Sequence, residues 1–394
     1  MISNRELFLR YMGQTSEAPY MLEIEKAEGL YLYCNNKKKL IDLIAGVSVS
    51  NLGHGNKRII DAIKLQAEKH MHLMVYGEYI QTPQVVLAQK LCSVLPESIN
   101  SVYFVNSGSE AIETALKLAK RTTRRTRIVS FKNSYHGSSH GAISVTGNEA
   151  FKNSFRPLLP DVYHINFNDI EDLEIITDKT ACVVIEPIQG EGGVRVASNE
   201  FMVKLRQKCD ETGALLIFDE IQTGFGRTGK FFALEHYSIV PDIICMAKAL
   251  GAGMPLGAVA APKKIMNNFT SDPVLGHITT FGGHPISCAA AIEGINIIIE
   301  DKLIETIDRK NKLFVENLKH PKIKELRGKG LFIAVELENS KMVQDFIKKG
   351  IDLGFVTDWF IFCDNAFRIA PPLTITETEV IEIVKLIKDA LDLI

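Results

Sequence analysis

Ile243-Ile244-Cys245-Met246-Ala247-Lys248-Ala249-Leu250-Gly251-Ala252-Gly253 sets five apolar residues against a lysine and a glycine-bearing turn. A run that is short and apolar throughout fits a strand buried on both faces, with the lysine falling where the strand ends. The same construction recurs upstream. Leu215–Phe218 is followed by Asp219-Glu220, and Val102–Val105 by Asn106-Ser107-Gly108-Ser109-Glu110. Arg127–Phe131, Ala181–Ile185 and Ala258–Ala261 complete six expected strands. Between them, Glu110–Arg121 places Ala111, Ile112, Ala115, Leu116, Leu118 and Ala119 at helical spacing, and Asn199–Thr212 repeats the pattern less cleanly. Strands alternating with helices predict an α/β fold around a mostly parallel central sheet.

The chain has 394 residues, more than one core normally holds. Around Gly328 the pattern changes. Gly330–Leu337 alternates as a strand, Lys341–Lys349 reads as a helix and Val380–Leu393 is amphipathic, after a long helix near 284–319. Residues 51–320 are therefore expected to form a large domain and 321–394 a smaller α+β domain. Hairpin-like stretches, Met21–Ala27, Gly29–Tyr33 and Leu40–Leu43, suggest that residues 1–50 pack with the smaller one.

Apolar residues make up 46% and charged residues 23%, which excludes a disordered or fibrous chain. The formal charge, 45 − 47 = −2, gives no reason to expect nucleic acid or an anionic membrane as partner. No apolar stretch has the length of a membrane span, and Met1–Glu17 does not read as a signal peptide, so a cytoplasmic protein is expected. The seven cysteines, at 34, 92, 182, 209, 245, 288 and 363, have no zinc-like or redox spacing and read as reduced core thiols. His136 with His140, and His70 with His72, lack a convincing third ligand, so no metal is expected. Gly224-Phe225-Gly226-Arg227-Thr228-Gly229 has the form of a dinucleotide fingerprint, but Asp219–Thr223 separates it from its strand.

In doubly wound sheets ligands bind beyond the carboxyl ends of the strands. There, Ser107-Gly108-Ser109 opens a helix and offers backbone N–H groups to an anion, although a simple helix cap is the alternative. Asp219 is a carboxylate at a buried strand end, which requires a cation, a metal or strong donors. Lys248 in an apolar pocket has its ammonium disfavoured, so that its amine can condense with an aldehyde; a lysine snorkelling to the surface is the bland reading. Together they make a phosphate cradle, a partner for a protonated pyridine nitrogen and an imine-forming amine, the three handles of pyridoxal 5'-phosphate.

At this point the chain resembles the class III aminotransferases of the type I pyridoxal-phosphate fold, most of all the acetylornithine and ornithine aminotransferase group. The stretches that carry the resemblance are Asn106–Ala111, Glu186-Pro187-Ile188-Gln189-Gly190-Glu191-Gly192-Gly193, Asp219–Gly229 and Thr280-Phe281-Gly282-Gly283, within matches from Ala45–His54 to Arg368–Leu373. The resemblance implies an amino group moved from an ω-amine donor to a 2-oxo acid such as 2-oxoglutarate. It implies that Lys248 forms the Schiff base and shuttles the proton, that Asp219 meets the pyridine nitrogen and Gln222 the phenolic oxygen, and that Ser107, Gly108 and Ser109 bind the phosphate. It also places Tyr135, stacked on the ring, His136 and Glu186 in the cofactor site. Thr280 would reach the phosphate of a second subunit, which makes the protein a homodimer with shared sites. Glu191 and Arg368 match a pair in which the glutamate masks the arginine for an ω-amine and releases it for an α-carboxylate.

One position departs from the family. The acetylornithine, ornithine and 4-aminobutyrate enzymes carry arginine where this chain has Ser138, and a hydroxyl cannot form a bidentate ion pair with a carboxylate. Arg195 and Arg156 are the candidates to replace it. Rival readings are a racemase, aminomutase or decarboxylase on the same fold, separated by the aminotransferase's need for a keto acid, and a catalytically silent pyridoxal-phosphate-binding protein.

Overall fold

The computed structural model describes residues 2–75 and 77–394. Thr180–Ile185 is buried at every position, and alternate residues of it and its neighbours feed two separate cores. Val184, Ile217, Ile243, Cys245 and Val259 meet Ala111, Ile112, Ala115 and Leu118 of the helix Gly108–Thr123. Ile185, Leu216, Phe218, Ile244 and Met246 share the other core with Phe201, Met202 and Leu205 of the helix Asn199–Thr212 and with Ile295 and Ile298 of the helix Pro285–Glu300. This two-sided burial is why the strands read as unbroken apolar runs.

The central sheet has seven strands, in the order Ser101–Val105, Gly257–Ala261, Ile243–Met246, Leu215–Asp219, Thr180–Ile185, Arg127–Phe131 and Val162–Ile165. Two features differ from the sequence reading. Val162–Ile165 is an additional edge strand whose apolar run is broken by Tyr163 and His164. Gly257–Ala261 runs antiparallel to both neighbours, so one strand of the seven opposes the rest. The single helix expected near 284–319 is two, Pro285–Glu300 and Ile307–Asn317, parted where Asp301 caps the first and Lys302 turns left-handed at φ +50°.

Toward the C-terminus, Glu325–Lys329, Phe332–Glu336, Cys363–Ile369 and Trp359–Phe360 form an antiparallel sheet. The helix Ser340–Leu353 lies against it, with the Phe346 ring stacked on Phe367 at 4.0 Å. The final helix, Glu377–Asp392, opens on a Thr376/Glu379 capping box. Near the N-terminus, Ile24–Glu28, Tyr31–Cys34 and Lys39–Asp42 form a meander, and Phe355–Val356 joins it parallel to Lys39–Asp42. No helix of the described residues is long and apolar enough to cross a membrane.

Candidate active site

The carboxyl ends of Ser101–Val105, Leu215–Asp219 and Ile243–Met246 open into one cavity of about 380 Å³. Ser107, Gly108, Ser109, Tyr135, His136, Glu186, Asp219, Gln222 and Lys248 all line it, drawn together from 142 residues of sequence (248 − 107 + 1).

Its anion end is the start of the helix Gly108–Thr123. Ser107 is the N-cap and accepts from Glu110 N at 3.2 Å, which leaves the N–H groups of Gly108 and Ser109 without intrahelical partners at the positive end of the helix dipole. Asn106 is fixed beside them: its N and Nδ2 both donate to Glu110 Oε2 at 2.8 Å, and Nδ2 also donates to Thr279 Oγ1 at 2.7 Å. Gly137 closes over this end at φ +123°. A Cβ there would come within 2.1 Å of Ser109 Oγ, the atom that accepts from Ser138 N at 3.2 Å.

Opposite lies a group of buried acids. Asp219 Oδ2 is 2.7 Å from His136 Nδ1, and its Oδ1 accepts from Ile221 N at 3.0 Å. Glu186 accepts from Tyr135 N at 2.9 Å and Gly190 N at 3.0 Å; burial pushes its carboxyl up to about 7, with Asp219 adding to the rise and His136 opposing it. Gln222 crosses Gly190 so closely that a Cβ there would lie 2.3 Å from Gln222 Oε1, while Gln222 Nε2 is buried without a hydrogen-bond partner.

Lys248 heads a 3₁₀ turn, Lys248–Gly251, at φ +50°. For a lysine this left-handed backbone costs roughly 1 kcal/mol or more, a strain often found where a side chain is held for function. Burial holds its amine below the ordinary lysine range. Arg368 acts in the same sense, and Glu191, Asp219 and Glu186 oppose it.

Glu191 and Arg368 form a buried pair, Arg368 Nη2 lying 2.9 and 3.1 Å from the two carboxylate oxygens. Burial alone would raise the Glu191 carboxyl, but the charges of Arg368 and Lys248 prevail and hold it below the usual range. A second acid, Asp358, takes Arg368 Nε at 2.9 Å, the Phe360 ring lies under the guanidinium at 4.6 Å, and Nη1 is buried with no partner. Sequence reasoning missed Asp358, for it belongs to no motif and its only signal is proximity to Arg368 in the fold.

Other expected residues stand elsewhere. Arg195 is not brought to the cavity. It is 44% exposed at the edge of Arg195–Val196 and paired with Glu325 at 3.3 Å and Glu336 at 3.5 Å, because that two-residue strand carries it against Glu325–Lys329. Arg156 is exposed and bound to Glu149 at 2.6 Å. Thr280 is exposed and does not line the cavity of its own chain. Ser138 is exposed, its Oγ 3.4 Å from Tyr135 OH, and the Tyr135 ring leads to Phe362 and then Phe151. Of the cysteines, five are buried, while Cys92 and Cys363 are partly exposed.

A helix start for an anion, a buried carboxylate for a cation, an amine whose ammonium form is disfavoured by burial for an aldehyde and an unpartnered buried amide fit pyridoxal 5'-phosphate in charge and in donor set.

Residues 12–391 match the family model "Aminotransferase class-III". An acetylornithine aminotransferase of Methanopyrus kandleri is 37% identical over 98% of both chains. One of Archaeoglobus fulgidus is 40% identical over 91% of this chain and 92% of its own. A crystal structure of ornithine aminotransferase from Toxoplasma gondii, described with partial occupancy of pyridoxal phosphate at its active site, superimposes with a TM-score of 0.92 at 30% identity, covering 98% of this chain and 93% of that one. The chain therefore belongs to the class III aminotransferases, pyridoxal-phosphate enzymes that move an amino group from a donor to a 2-oxo acid.

Proposed function

We propose that the amino donor is an ω-amine of the acetylornithine, ornithine or 4-aminobutyrate type and that 2-oxoglutarate is an acceptor. The observation that carries this reading is the buried Glu191–Arg368 pair, close enough to Lys248 for both its charges to act on the amine. With Glu191 on Arg368, the guanidinium is masked and an uncharged carbon chain can pass. With Glu191 withdrawn, Arg368 can take an α-carboxylate through a bidentate contact. The acetylornithine activity named for the Methanopyrus and Archaeoglobus relatives supports the donor class.

Bound in the cavity, the cofactor supplies an aldehyde for the amine and an electron-withdrawing ring for the carbanion. In this assignment Lys248 Nζ carries the cofactor, then takes the proton from the donor carbon and returns it to the acceptor. Asp219, oriented by His136, holds the proton on the ring nitrogen, and Gln222 Nε2 donates to the phenolic oxygen. Ser107, Gly108 and Ser109 seat the phosphate, and Tyr135 covers the ring. Glu186 holds the Tyr135 main chain in place. Thr280, exposed in the single chain, completes the phosphate site of a second copy in a cytoplasmic homodimer. Residues 51–320 form the cofactor-binding domain, and residues 321–394 with 1–50 form the smaller one that brings Arg368.

The test is a set of half-reactions followed by absorbance, mixing the holoenzyme with acetylornithine, ornithine, 4-aminobutyrate, lysine and simple amines, and the aminated form with 2-oxoglutarate. Reaction of one ω-amine at least tenfold faster than any α-amino acid that lacks an ω-amine, glutamate excepted, supports the assignment. Preference for an α-amino acid other than glutamate that lacks an ω-amine refutes it.

A further inference from the structure

Arg368 is addressed by four consecutive residues of one segment. Thr357 Oγ1 donates to its carbonyl, the Asp358 carbonyl accepts from its N–H at 2.9 Å, Asp358 Oδ1 accepts from Nε at 2.9 Å, and Trp359–Phe360 pairs with its strand while placing the Phe360 ring under the guanidinium. Glu191 comes from a distant loop and takes only Nη2, its Oε2 also accepting from Ile361 N at 3.2 Å. A buried carboxylate, Glu191, and a partly buried one, Asp358, thus surround one guanidinium, and yet Nη1 has no partner.

This arrangement is costly if it serves stability alone. A buried ion pair balances its desolvation only when every donor is satisfied, and here one nitrogen is not. The two acids also differ in kind. Glu191 occupies the far end of the guanidinium, whereas Asp358 occupies the Nε side and is continuous with the strand pairing that fixes the arginine's backbone.

We infer that Asp358 is a positioning residue that fixes the plane of the Arg368 guanidinium, so that Glu191 alone exchanges with a substrate carboxylate at the Nη1–Nη2 edge. A long arginine side chain held only by Glu191 would follow that carboxylate when it moved. Anchored at Nε, it stays, and the edge that Glu191 leaves becomes a fork for the incoming carboxylate, with Nη1 supplying the second donor of a bidentate contact. The inference rests on the proposal that Arg368 receives the substrate carboxylate.

The experiment measures binding of glutarate, an unreactive carboxylate, to the holoenzyme by calorimetry, together with KM and kcat for glutamate and for the best ω-amine donor. Asp358→Ala should weaken glutarate by about tenfold or more, the scale of losing a charge-assisted hydrogen bond, and raise KM for glutamate similarly while the ω-amine half-reaction changes less than threefold. Asp358→Asn keeps an acceptor for Nε and should restore glutarate affinity to within about threefold. A general structural defect would move both substrate classes alike, and that result overturns the inference. So does a loss under threefold in Asp358→Ala, or an equal loss in Asp358→Asn. Arg368→Ala separates the two levels: if it weakens glutarate and Asp358→Ala does not, only the positioning role falls, whereas unchanged affinity in Arg368→Ala removes the carboxylate site itself and this inference with it.

Discussion

Replacing Asp219 by asparagine removes one charge from the cavity and changes little else. The new amide oxygen can accept from Ile221 N, as Oδ1 does at 3.0 Å, and the amide N–H can donate to His136 Nδ1 once the imidazole proton moves to Nε2, which lies 3.5 Å from Ser130 Oγ. The fold should therefore persist, with melting unchanged within a few degrees. Function should not. At an effective dielectric of about 20, a carboxylate about 3 Å from a cationic ring nitrogen is worth about 5 kcal/mol, and the neutral hydrogen bond that replaces it about 1. The difference of about 4 kcal/mol corresponds to about three decades of rate at 1.36 kcal/mol per decade, against the two to three decades typical of removing one preorganised group. Rapid mixing of Asp219→Asn holoenzyme with saturating donor, with cofactor content measured on the same sample, reads the effect directly. A slowing of less than tenfold at full cofactor occupancy would refute the assignment of Asp219 to the ring nitrogen.

Lys248→Ala should have no measurable turnover, and borohydride reduction of the wild type followed by peptide mass spectrometry should find the cofactor on Lys248 and nowhere else. Mixing Lys248→Ala chains with Thr280→Ala chains should restore activity, at the Lys248 of the Thr280→Ala chain, since random pairing leaves about a quarter of all sites undamaged; verified subunit exchange without recovery argues against shared sites. Arg195→Ala should leave every half-reaction within about twofold, because its guanidinium is engaged by Glu325 and Glu336 on the outer surface, and a tenfold fall would restore it as a substrate residue. His164 is depressed to about 4 by burial and then by the charge of Lys152. As pH falls below its ordinary value of 6.5, the unfolded chain takes the proton before the folded one. Stability is then lost at up to about 1.36 kcal/mol per pH unit until the folded value is passed. His164→Gln should flatten the fall in melting temperature between pH 7 and 5, and parallel curves for variant and wild type would exclude that origin.

The central sheet was readable because its strands are buried on both faces, so Ile243–Met246 and Ala181–Ile185 carry no polar interruption. Strand direction was not readable. Gly257–Ala261 opposes its neighbours, yet its residues are as apolar as theirs, and only the short connection from Met246 hints at it. Val162–Ile165 escaped because an edge strand tolerates Tyr163 and His164. In the cavity, Lys248, Asp219 and the Ser107–Ser109 turn were legible because each follows a strand, and strand ends share a side of the sheet. Asp358 was not, since it acts only through Arg368. Arg195 looked useful because Gly192-Gly193-Val194 leads into it from Glu191, but the chain turns at Gly193, φ +85°, and at Val194, φ +54°, and carries the guanidinium outward.

Ser101–Val105, which leads into Ser107 and Gly108, is an edge strand and, among the described residues, pairs only with Gly257–Ala261. Its register sets Val105 against Gly257, 257 − 105 = 152 positions later. On a ribosome adding about 5–20 residues per second, such a strand waits roughly 8–30 s for that neighbour to be made. During that time Ser101-Val102-Tyr103-Phe104-Val105, rich in β-forming residues and free of charge, is open to pairing with other nascent chains. Chaperone dependence during synthesis should therefore concentrate on this segment, and a charged residue at the half-exposed Val102 should improve soluble yield more than it lowers the melting temperature of the finished enzyme.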